Sequence, residues 1–336
     1  MHRVNVLITV DVECWPQVDH PLGENIGNEI SHHIYGRTRS GEELGINWQM
    51  DVLNQHGLRG VFFVESLCAM RGFAQSLREV VRSILSHGHD VELHTHTEWF
   101  GFPPVKSLVG NKCAQNLKDY SLDEQVSILT IAKQHLENCG ADNVVAFRAG
   151  NFGADNNTLR ACNIVGLPVD SSYNPVYVGR DCGLMFPQTR SQPFRVEGVW
   201  EFPVTCFRDH PLFQRSHLRP LQITATSFQE MSTVLHQASR HRMHTIVILT
   251  HSFEMTHLSS SPLGPKKHSL NAYRFRRLCS FLEKHSDLFR VTTFKEMVKH
   301  SLLPVETFVG EELIQSTTTN YLLRGIQNLS SAIFKY

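Results

Sequence analysis

The sequence lacks a net charge and a long apolar run, and each absence excludes a class of protein. Lys+Arg and Asp+Glu both number 32 among 336 residues, so the formal charge at pH 7 is zero. A chain with this balance has no overall field that favours nucleic acid. No apolar run reaches the roughly 20 residues that a membrane-spanning helix needs. We therefore expect neither nucleic-acid binding nor a transmembrane segment.

The eight cysteines are scattered along the chain and contain no C-x-x-C pair. This spacing argues against a thiolate zinc site and against a redox dithiol. Several cysteines lie in apolar runs, as Cys68 does in residues 61–70, where a reduced, buried thiol is the ordinary state. The first predicted strand begins close to Met1, which leaves no room for a signal peptide. Both observations predict a cytoplasmic protein.

Short apolar runs alternate with amphipathic segments along most of the chain. The sequence predicts eight strands, at residues 4–10, 60–64, 90–94, 144–148, 167–170, 199–203, 245–249 and 289–293. It predicts six helices, at residues 42–56, 73–86, 122–139, 156–165, 228–241 and 273–284. Continuous apolar strands with intervening helices are typical of a parallel sheet covered by helices. Because the units are this numerous and no G-x-G-x-x-G phosphate loop occurs, an α/β fold of the (β/α)-barrel type is favoured over a doubly wound sheet.

Two long segments and a tail interrupt this alternation. We expect residues 1–303 to form the barrel, with long loops at 16–41 and 174–220 of the kind that carry substrate specificity. Residues 304–336 are predicted to be a C-terminal helical tail with an amphipathic segment over residues 321–333. Docking of this helix on the barrel is the expected arrangement, and a partner or a second copy of the chain is the alternative.

Two carboxylates, Asp11 and Glu13, follow the first apolar run. Because one residue separates them, an extended backbone would place both side chains on the same face. Carboxylates this close repel each other unless a cation lies between them or one is protonated. A metal ion held by Glu13, with Asp11 left as a general base, resolves the conflict. Two unrelated acids at a solvated strand end are the alternative.

Three more candidate ligands, His94, His96 and Glu98, follow the third predicted strand. An extended segment would put all three on one face, whereas the spacing of His94 and Glu98 also suits a helical turn. Imidazole and carboxylate are ligands that zinc and similar divalent metals accept without thiolate. The carboxyl ends of neighbouring parallel strands converge, so the two motifs together predict a mononuclear metal site.

Arg148 and His251 also stand at the ends of apolar runs. An arginine in this place can hold a carboxylate in a fixed orientation through a bidentate contact. His251 is a candidate general acid, because an unperturbed imidazole pKa of ~6.5 allows either protonation state at neutral pH. Four strand ends with chemistry-bearing side chains are a stronger signal than any one of them.

The order of these motifs resembles that of the polysaccharide deacetylases, the family-four carbohydrate esterases with a chitooligosaccharide-deacetylase-like domain. The resemblance covers roughly residues 4–300 and rests on residues 8–13 (ITVDVE), 57–64 (GLRGVFFV), 88–94 (GHDVELH), 147–152 (FRAGNF), 201–203 (EFP) and 249–252 (LTHS). It implies a distorted barrel of about seven parallel strands. It also implies a divalent metal and hydrolysis of an N- or O-acetyl group on a sugar.

The resemblance assigns a role to each matching residue. Asp11 matches the catalytic base, His94 the first metal histidine, Arg148 the arginine that orients the base, and His251 the catalytic acid. Glu13 departs from the usual pair of adjacent aspartates, as in members whose motif reads Asp-Val-Asp or Asp-Val-Glu. We expect Glu13 to be a metal ligand.

A second departure lies where the family has its second metal histidine, because this chain has Glu98 there. Glu98 is the expected third ligand, and His96 is the alternative. A second carboxylate would add negative charge, favour a harder metal and polarise water less. We interpret the His-x-His-x-Glu-Trp pattern as the feature of a subgroup. The expected cofactor is Zn²⁺, with Co²⁺, Mn²⁺ or Ni²⁺ as alternatives.

These patterns predict a metal-dependent hydrolase that removes an acetyl group from an N-acetylated sugar of a surface polysaccharide or its precursor. Trp99, Asn151 and Phe152 are the expected sugar contacts, with a hydrophobic plug as the alternative role of Trp99. One alternative function is an amidohydrolase acting on a non-sugar C–N bond, since a fold does not fix its substrate. The other is a barrel that binds glycans without catalysis.

Overall fold

The alternating runs of the sequence fold into one large, mostly parallel sheet with helices on its outer face. The computed structural model describes residues 2–14, 27, 30–101, 109–110, 112–209, 217–258, 264–304 and 313–333. Parts of the two predicted loops (16–26, 28–29 and 210–216) and of the predicted tail (305–312 and 334–336) lie outside the described residues.

Nine strands belong to the main sheet, and the other described strands form two small antiparallel pairs. The strands are β1 (Val4–Val12), β2 (Val61–Glu65), β3 (Asp90–Thr95), β4 (Ala146–Ala149), β5 (Val169–Asp170), β6 (Phe194–Val196), β7 (Val199–Glu201), β8 (Cys206–Arg208), β9 (Leu218–Pro220), β10 (Thr245–His251), β11 (Thr256–His257), β12 (Lys266–Lys267) and β13 (Phe289–Val291). The sheet order is β10-β1-β2-β3-β4-β5-β7-β6, with β13 also paired to β1. The seven strands from β10 to β7 run parallel, which confirms the predicted barrel-type α/β fold.

Six of the described α-helices lie between strands in sequence, and two follow the last strand. In the described part of the chain the α-helices are α1 (Ile46–Gln55), α2 (Ala74–Ser86), α3 (Leu122–Asn138), α4 (Asn156–Val165), α5 (Phe228–Arg240), α6 (Ser269–Lys284), α7 (Phe294–Lys299) and α8 (Thr318–Ile333). Several begin at a capping box, as α3 does at Ser121 and α4 at Asp155. Such caps satisfy backbone N–H groups that have no partner inside the helix.

All eight predicted strands and six predicted helices form, and most of their ends lie within two residues of the prediction. Helix α1 begins at Ile46 rather than at residue 42, because residues 42–45 bond to the preceding loop, as Gly45 N does to Tyr35 O at 2.9 Å. Helix α6 begins at Ser269 rather than at residue 273, because the His268 side chain caps it. Helix α7 and the short antiparallel strands are not predicted, since they span too few residues to show a periodicity.

Residues of β1 alternate strictly between the two faces of the sheet. Val6, Ile8 and Val10 pack in the large core under the helices, whereas Leu7 packs in a smaller core inside the barrel. The inward series of odd positions continues from Leu7 to Asp11, as period-two alternation requires. The same strand therefore supplies apolar contacts outward and a carboxylate inward.

The barrel interior is apolar at the amino ends of the strands and polar at their carboxyl ends. Phe294 and Met297 of α7 pack against the inner apolar residues, among them Leu7 and Phe63. The inward residues nearer the carboxyl ends are buried polar or charged groups: Thr9, Asp11, Glu65, Glu92, His94 and Arg148. The apolar end thus forms a floor beneath a polar centre.

An irregular segment completes the barrel between β7 and β10. Thr205 N donates to Val247 O at 3.2 Å, and Leu249 N donates to Leu221 O at 3.0 Å. Residues 203–205 and 221–223 thus occupy the place of a strand along the open edge of β10. This segment keeps backbone groups of β10 hydrogen-bonded.

Helix α8 docks on the barrel through a buried ion pair. The Arg324 guanidinium donates to Asp209 Oδ2 at 3.1 Å and also contacts Glu230 of α5. On the outer face of α8, Leu322, Ile326 and Leu329 are exposed. Docking of the tail on the barrel is the expected arrangement, and assembly through its exposed face stays a prediction.

No two of the eight cysteines, all of them in the described part of the chain, form a disulfide, and seven of them are buried. No helix in the described part of the chain is both long enough and apolar enough to cross a bilayer.

We predict that Glu92 makes the stability of the barrel pH-dependent. Glu92 is fully buried in β3 and accepts hydrogen bonds from Val145 N and Ala146 N, both at 2.8 Å. Burial raises its pKa from 4.5 to about 8. Between these pH values the folded state binds more protons than the unfolded state, so the free energy of unfolding falls as pH rises. Glu92→Gln should remove this part of the decline.

Urea unfolding at pH 5 and pH 8 measures the effect. The difference between the two free energies should be smaller for Glu92→Gln than for the wild type. Glu137→Gln, at an exposed position in α3, is the control and should leave the difference unchanged. An equal pH dependence in Glu92→Gln and the wild type would contradict the assignment.

Candidate metal centre and active site

Strand register brings ionisable side chains together at the carboxyl end of the barrel. Asp11 of β1 pairs with His251 of β10, and His94 of β3 pairs with Arg148 of β4. Strand β2 lies between β1 and β3, so Glu13, just beyond β1, reaches across it towards His94. The four strand-end motifs of the sequence therefore meet in one place.

Glu13, His94 and His96 form a cluster suited to hold a metal ion. Their donor atoms lie within 4.8 Å of one another, and all three side chains are buried. His94 Nε2 lies 2.8 Å from Glu13 Oε2, and His96 Nε2 contacts the same oxygen. A carboxylate oxygen with two imidazole nitrogens is a donor set that zinc accepts.

Hydrogen bonds on the far side of each imidazole fix how the two rings present Nε2. His94 Nδ1 donates to Arg148 O at 2.7 Å, and His96 Nδ1 lies 3.3 Å from Glu98 Oε2. A ring whose Nδ1 carries the proton has its lone pair on Nε2, as metal-binding histidines do. Both rings are thus oriented as metal ligands.

The charge of Glu13 is balanced by the imidazoles around it. Burial opposes its ionisation, but the charge of His96 and hydrogen bonds from His94 and His96 hold the pKa of Glu13 well below its usual range. Burial likewise lowers the pKa of His96, yet Glu13 raises that pKa well above its ordinary value. A divalent cation would take the place of the proton that this cluster otherwise attracts. The residues present therefore fit a metal ion.

Glu98 lies outside this cluster and behind the His96 ring. A 3-10 turn begins at Thr97, so the alternation of β3 does not continue to Glu98. Its Oε1 accepts from Asn151 Nδ2 at 2.8 Å, while its Oε2 faces His96 Nδ1. The arrangement favours His96, the alternative third ligand, and gives Glu98 the position of a group that orients it.

The loop after β4 has a strained backbone where it packs against the His96 ring. A Cβ on Gly150 would lie 2.7 Å from Thr95 O and 2.8 Å from His96 Cγ, so only glycine allows the His96 ring to come this close. Asn151 and Phe152 both have a φ of 55°, in the left-handed region that non-glycine residues rarely adopt. Strain of this kind is typical of functional sites.

The backbone of His96 is held by a further buried carboxylate. Glu65, at the end of β2, accepts from His96 N and from Leu67 N. Burial raises the pKa of Glu65 to about 8. Its inward position continues the alternation of Val61 and Phe63, so this residue could have been found from the sequence.

Asp11 is paired with the fully buried guanidinium of Arg148. Arg148 Nη1 donates to Asp11 Oδ1 at 2.6 Å and to Thr9 Oγ1 at 3.0 Å. The same side chain donates to Ser171 O and Ser171 Oγ, each at 3.1 Å, and lies over the Phe63 ring. Arg148 thus fixes one oxygen of Asp11 and leaves Oδ2 on the side of His251.

His251 is oriented by a carboxylate that sequence reasoning missed. Its Nδ1 lies 2.8 Å from Glu254 Oε1, while Thr250 Oγ1 donates to Glu254 Oε2 at 2.8 Å. Burial lowers the pKa of His251, but Glu254, Glu13 and Asp11 outweigh it and raise that pKa to about 9. Glu254 lies three positions after His251, and this spacing is the sequence signal that could have identified it as a partner of His251.

The cluster opens into a cavity of about 180 Å³. His251 Nε2 lies at its side, 3.9 Å from Asp11 Oδ2 and 3.7 Å from Glu13 Oε1. The other described lining residues are His94, His96, Ala149, Asn151, Phe152, Tyr177, Asp181, Gln222 and Leu249. Tyr177, Asp181 and Gln222 lie in irregular segments, where no sequence pattern marked them.

Phe152 and Trp99, both expected to contact sugar, lie in different surroundings. Phe152 lines the cavity and stacks on Tyr177 at a ring distance of 5.4 Å. Trp99 is only 2% exposed and packs against Phe73. The expectation of a sugar contact for Trp99 is therefore corrected to the alternative, a hydrophobic plug.

We predict that removal of Arg148 destabilises the fold because it leaves Asp11 buried without a counter-charge. Arg148→Ala should lower the free energy of unfolding by about 3–5 kcal/mol, as for other broken buried ion pairs. Adding Asp11→Asn should restore part of this loss, since the uncompensated charge is then gone. Urea unfolding of the single and double variants measures the coupling.

Arg160→Ala is the matched control, because Arg160 forms its ion pair with Glu197 at the surface. This control should change stability much less than Arg148→Ala. Equal effects of the two alanine variants, or strictly additive effects of Arg148→Ala and Asp11→Asn, would contradict the prediction.

Comparison with known proteins bears on the fold. No protein-family model and no curated protein matches this sequence. A solved structure from Mycobacterium smegmatis, provisionally described as a polysaccharide deacetylase, aligns over 93% of this chain and 96% of its own, with a TM-score of 0.56 and 18% identity. A family 4 carbohydrate esterase from Streptomyces lividans, in complex with acetate, aligns over 87% and 94% with a TM-score of 0.43 and 13% identity, too low to add weight. The first likeness shows that this chain has the polysaccharide deacetylase fold.

Proposed function

We propose that this protein is a metal-dependent deacetylase of N-acetylated sugars and belongs to the polysaccharide deacetylase family. The observation that carries the proposal is the convergence of Asp11 and His251 beside the Glu13–His94–His96 cluster, within a deacetylase fold. A general base, a general acid and a cation site are the parts that amide hydrolysis requires.

Glu13, His94 and His96 would hold the metal. A divalent ion supplies Lewis acidity: it polarises a carbonyl oxygen and lowers the pKa of water. The nitrogen-rich donor set supports zinc, with Co²⁺, Mn²⁺ and Ni²⁺ as alternatives. Glu98 would act on this site through the His96 ring that it contacts.

Asp11 would accept the proton of the attacking water at Oδ2. Its other oxygen accepts a hydrogen bond from Arg148, and this pairing fixes the orientation of the carboxylate. Water adds to the acetyl carbonyl carbon as that proton leaves. Arg148 is thus a positioning residue for the base.

His251 would donate its Nε2 proton to the departing amine. Its raised pKa keeps the imidazole protonated at neutral pH, and Glu254 holds the ring so that Nε2 faces the cavity. The C–N bond breaks as the nitrogen is protonated, which yields acetate and the free amino sugar. Eight cysteines that form no disulfide support a cytoplasmic reaction on a precursor of a surface polysaccharide.

We predict zinc-dependent release of acetate from N-acetylglucosamine oligosaccharides. Asp11→Asn should lower kcat by about 100-fold or more, because the general base is lost. Its bound zinc should remain, since Asp11 lies outside the ligand cluster. Asp51→Asn, at an exposed position in α1, is the matched control and should keep wild-type activity.

Three outcomes would contradict the proposed function. Ammonia release from cyclic amides, without acetate release from sugars, would indicate the amidohydrolase alternative. Glycan binding without turnover and without bound metal would indicate a non-catalytic barrel. Full activity of Asp11→Asn would remove Asp11 as the base.

We also predict that zinc affinity distinguishes the two candidates for the third ligand. Glu98→Ala should weaken zinc binding by about 10- to 100-fold, the usual effect of losing a group that orients a ligand. His96→Ala should weaken it by a larger factor, because a ligand atom is removed. Competition with a chromophoric chelator measures both, and the exposed His300→Ala is the control. The reverse order of effects would make Glu98 the ligand.

A further inference from the structure

A second, larger cavity adjoins the catalytic one. It has a volume of about 570 Å³, against about 180 Å³ for the cavity over the metal cluster. His251 and Gln222 line both cavities, so the two are neighbours across the His251 ring. The smaller one has room for an acetamido group and little more, which leaves the rest of a substrate to the larger one.

His251 stands between the metal cluster and the larger cavity. Nε2 of the ring faces Asp11 and Glu13, whereas Nδ1 faces Glu254, which lines the larger cavity. The amine that receives the Nε2 proton belongs to the sugar. Because the two cavities adjoin at His251 and Gln222, the rest of that sugar can pass into the larger one.

The walls of the larger cavity carry cationic and hydrogen-donating groups. Lys266 lies on one wall, next to His257, its partner across the β11–β12 pair. The His257 and His268 rings stack at 4.0 Å, and Asn271 N donates to His268 Nδ1. A ring nitrogen that accepts a hydrogen bond leaves the ring proton on the other nitrogen, so His268 offers Nε2–H as a donor.

Glu254 supplies a carboxylate to these walls, and its oxygens already accept hydrogen bonds from neighbouring side chains. Both of its oxygens are engaged, by His251 and Gln222 at Oε1 and by Thr250 at Oε2. Among the described lining residues it is the only acid of the larger cavity, whereas Asp181 lines only the smaller one. An anion would be repelled on the Asp181 side and attracted on the Lys266 side.

The same cavity offers a surface for a ring. Phe253 stacks on His251 at a ring distance of 5.2 Å, and Leu258 is exposed beside it. An aromatic face next to polar groups suits the apolar face of a pyranose or another planar group.

We propose that this larger cavity binds the body of the sugar substrate and selects a sugar that carries an oxyanion, a phosphate ester or a carboxylate. The inference rests on the proposed deacetylase function and adds the substrate class to it. Lys266 and His268 are the specificity-determining residues, and neither takes part in proton transfer. Lysine is a common phosphate binder in proteins, acting as a point charge.

Binding to the Asp11→Asn protein tests the inference without turnover. Calorimetry would compare N-acetylglucosamine 1-phosphate, an N-acetylhexosaminuronic acid and the neutral methyl glycoside of N-acetylglucosamine. The two anionic sugars should bind about tenfold or more tightly than the neutral one, in line with one charge-assisted hydrogen bond. The two anionic probes distinguish a phosphate preference from a carboxylate preference.

Lys266→Gln, added to Asp11→Asn, should reduce the binding of the anionic sugars about tenfold and leave the neutral sugar unchanged. Lys267→Gln is the matched control, because the adjacent Lys267 pairs with Glu42 and does not line the cavity. In the protein with Asp11 intact, Lys266→Gln should raise KM for the anionic sugars about tenfold and leave kcat unchanged.

Two results would overturn the inference. One is equal binding of the neutral and anionic sugars. The other is anionic binding that survives both Lys266→Gln and His268→Gln. These failures can be told apart from a failure of the proposed function. If acetate is released from neutral and anionic sugars with equal kcat/KM, the protein is a deacetylase but does not select anionic sugars. If the protein binds anionic sugars selectively but releases no acetate, the selection is supported and the deacetylase function is not.

Discussion

The buried ion pair between Arg148 and Asp11 is the interaction on which the centre of this barrel depends. Arg148 is 0% exposed and bonds to β1 through Asp11 and Thr9, and to the segment after β5 through Ser171. Desolvation of two charges is costly, and such a pair rarely adds stability over an apolar core. Its retention at a strand end, facing a cavity, is therefore better explained by the chemistry it allows than by the fold it supports.

Around this pair the barrel buries more carboxylates than arginines, and it neutralises them in different ways. Burial raises the pKa of Glu65 and Glu92 to about 8, so both are protonated at neutral pH. Burial and the neighbouring Asp170 raise the pKa of Glu201 well above its usual range. Glu13 differs from these carboxylates, because His94 and His96 hold its pKa well below the usual range. An inner carboxylate with two histidine partners is therefore a favourable place for the charge of a metal ion.

The sequence predicted this centre because the chemistry lies at the ends of regular strands. Asp11, His94, Arg148 and His251 each follow an apolar run, and parallel strands bring such ends together. The sequence did not decide whether Glu98 or His96 is the third ligand. The direction of the Glu98 side chain depends on where β3 stops and the 3-10 turn starts, at Thr97. Trp99 faces inward to the core for the same reason. Side-chain directions can be predicted from the sequence only as far as the regular alternation of the strand continues.

The missed residues that share a cavity with His251 lie outside the main sheet, and they have a second property in common. Glu254, Gln222 and Lys266 come from the segments after β9 and β10, whereas the metal cluster lies at the ends of β1 and β3. Strands paired on both sides hold reacting groups to fixed positions, and loops tolerate substitution. Under the proposed function, a barrel divided in this way could change the sugar it accepts through its loops without disturbing Asp11 and His251. The loops around His251 would then set the substrate preference.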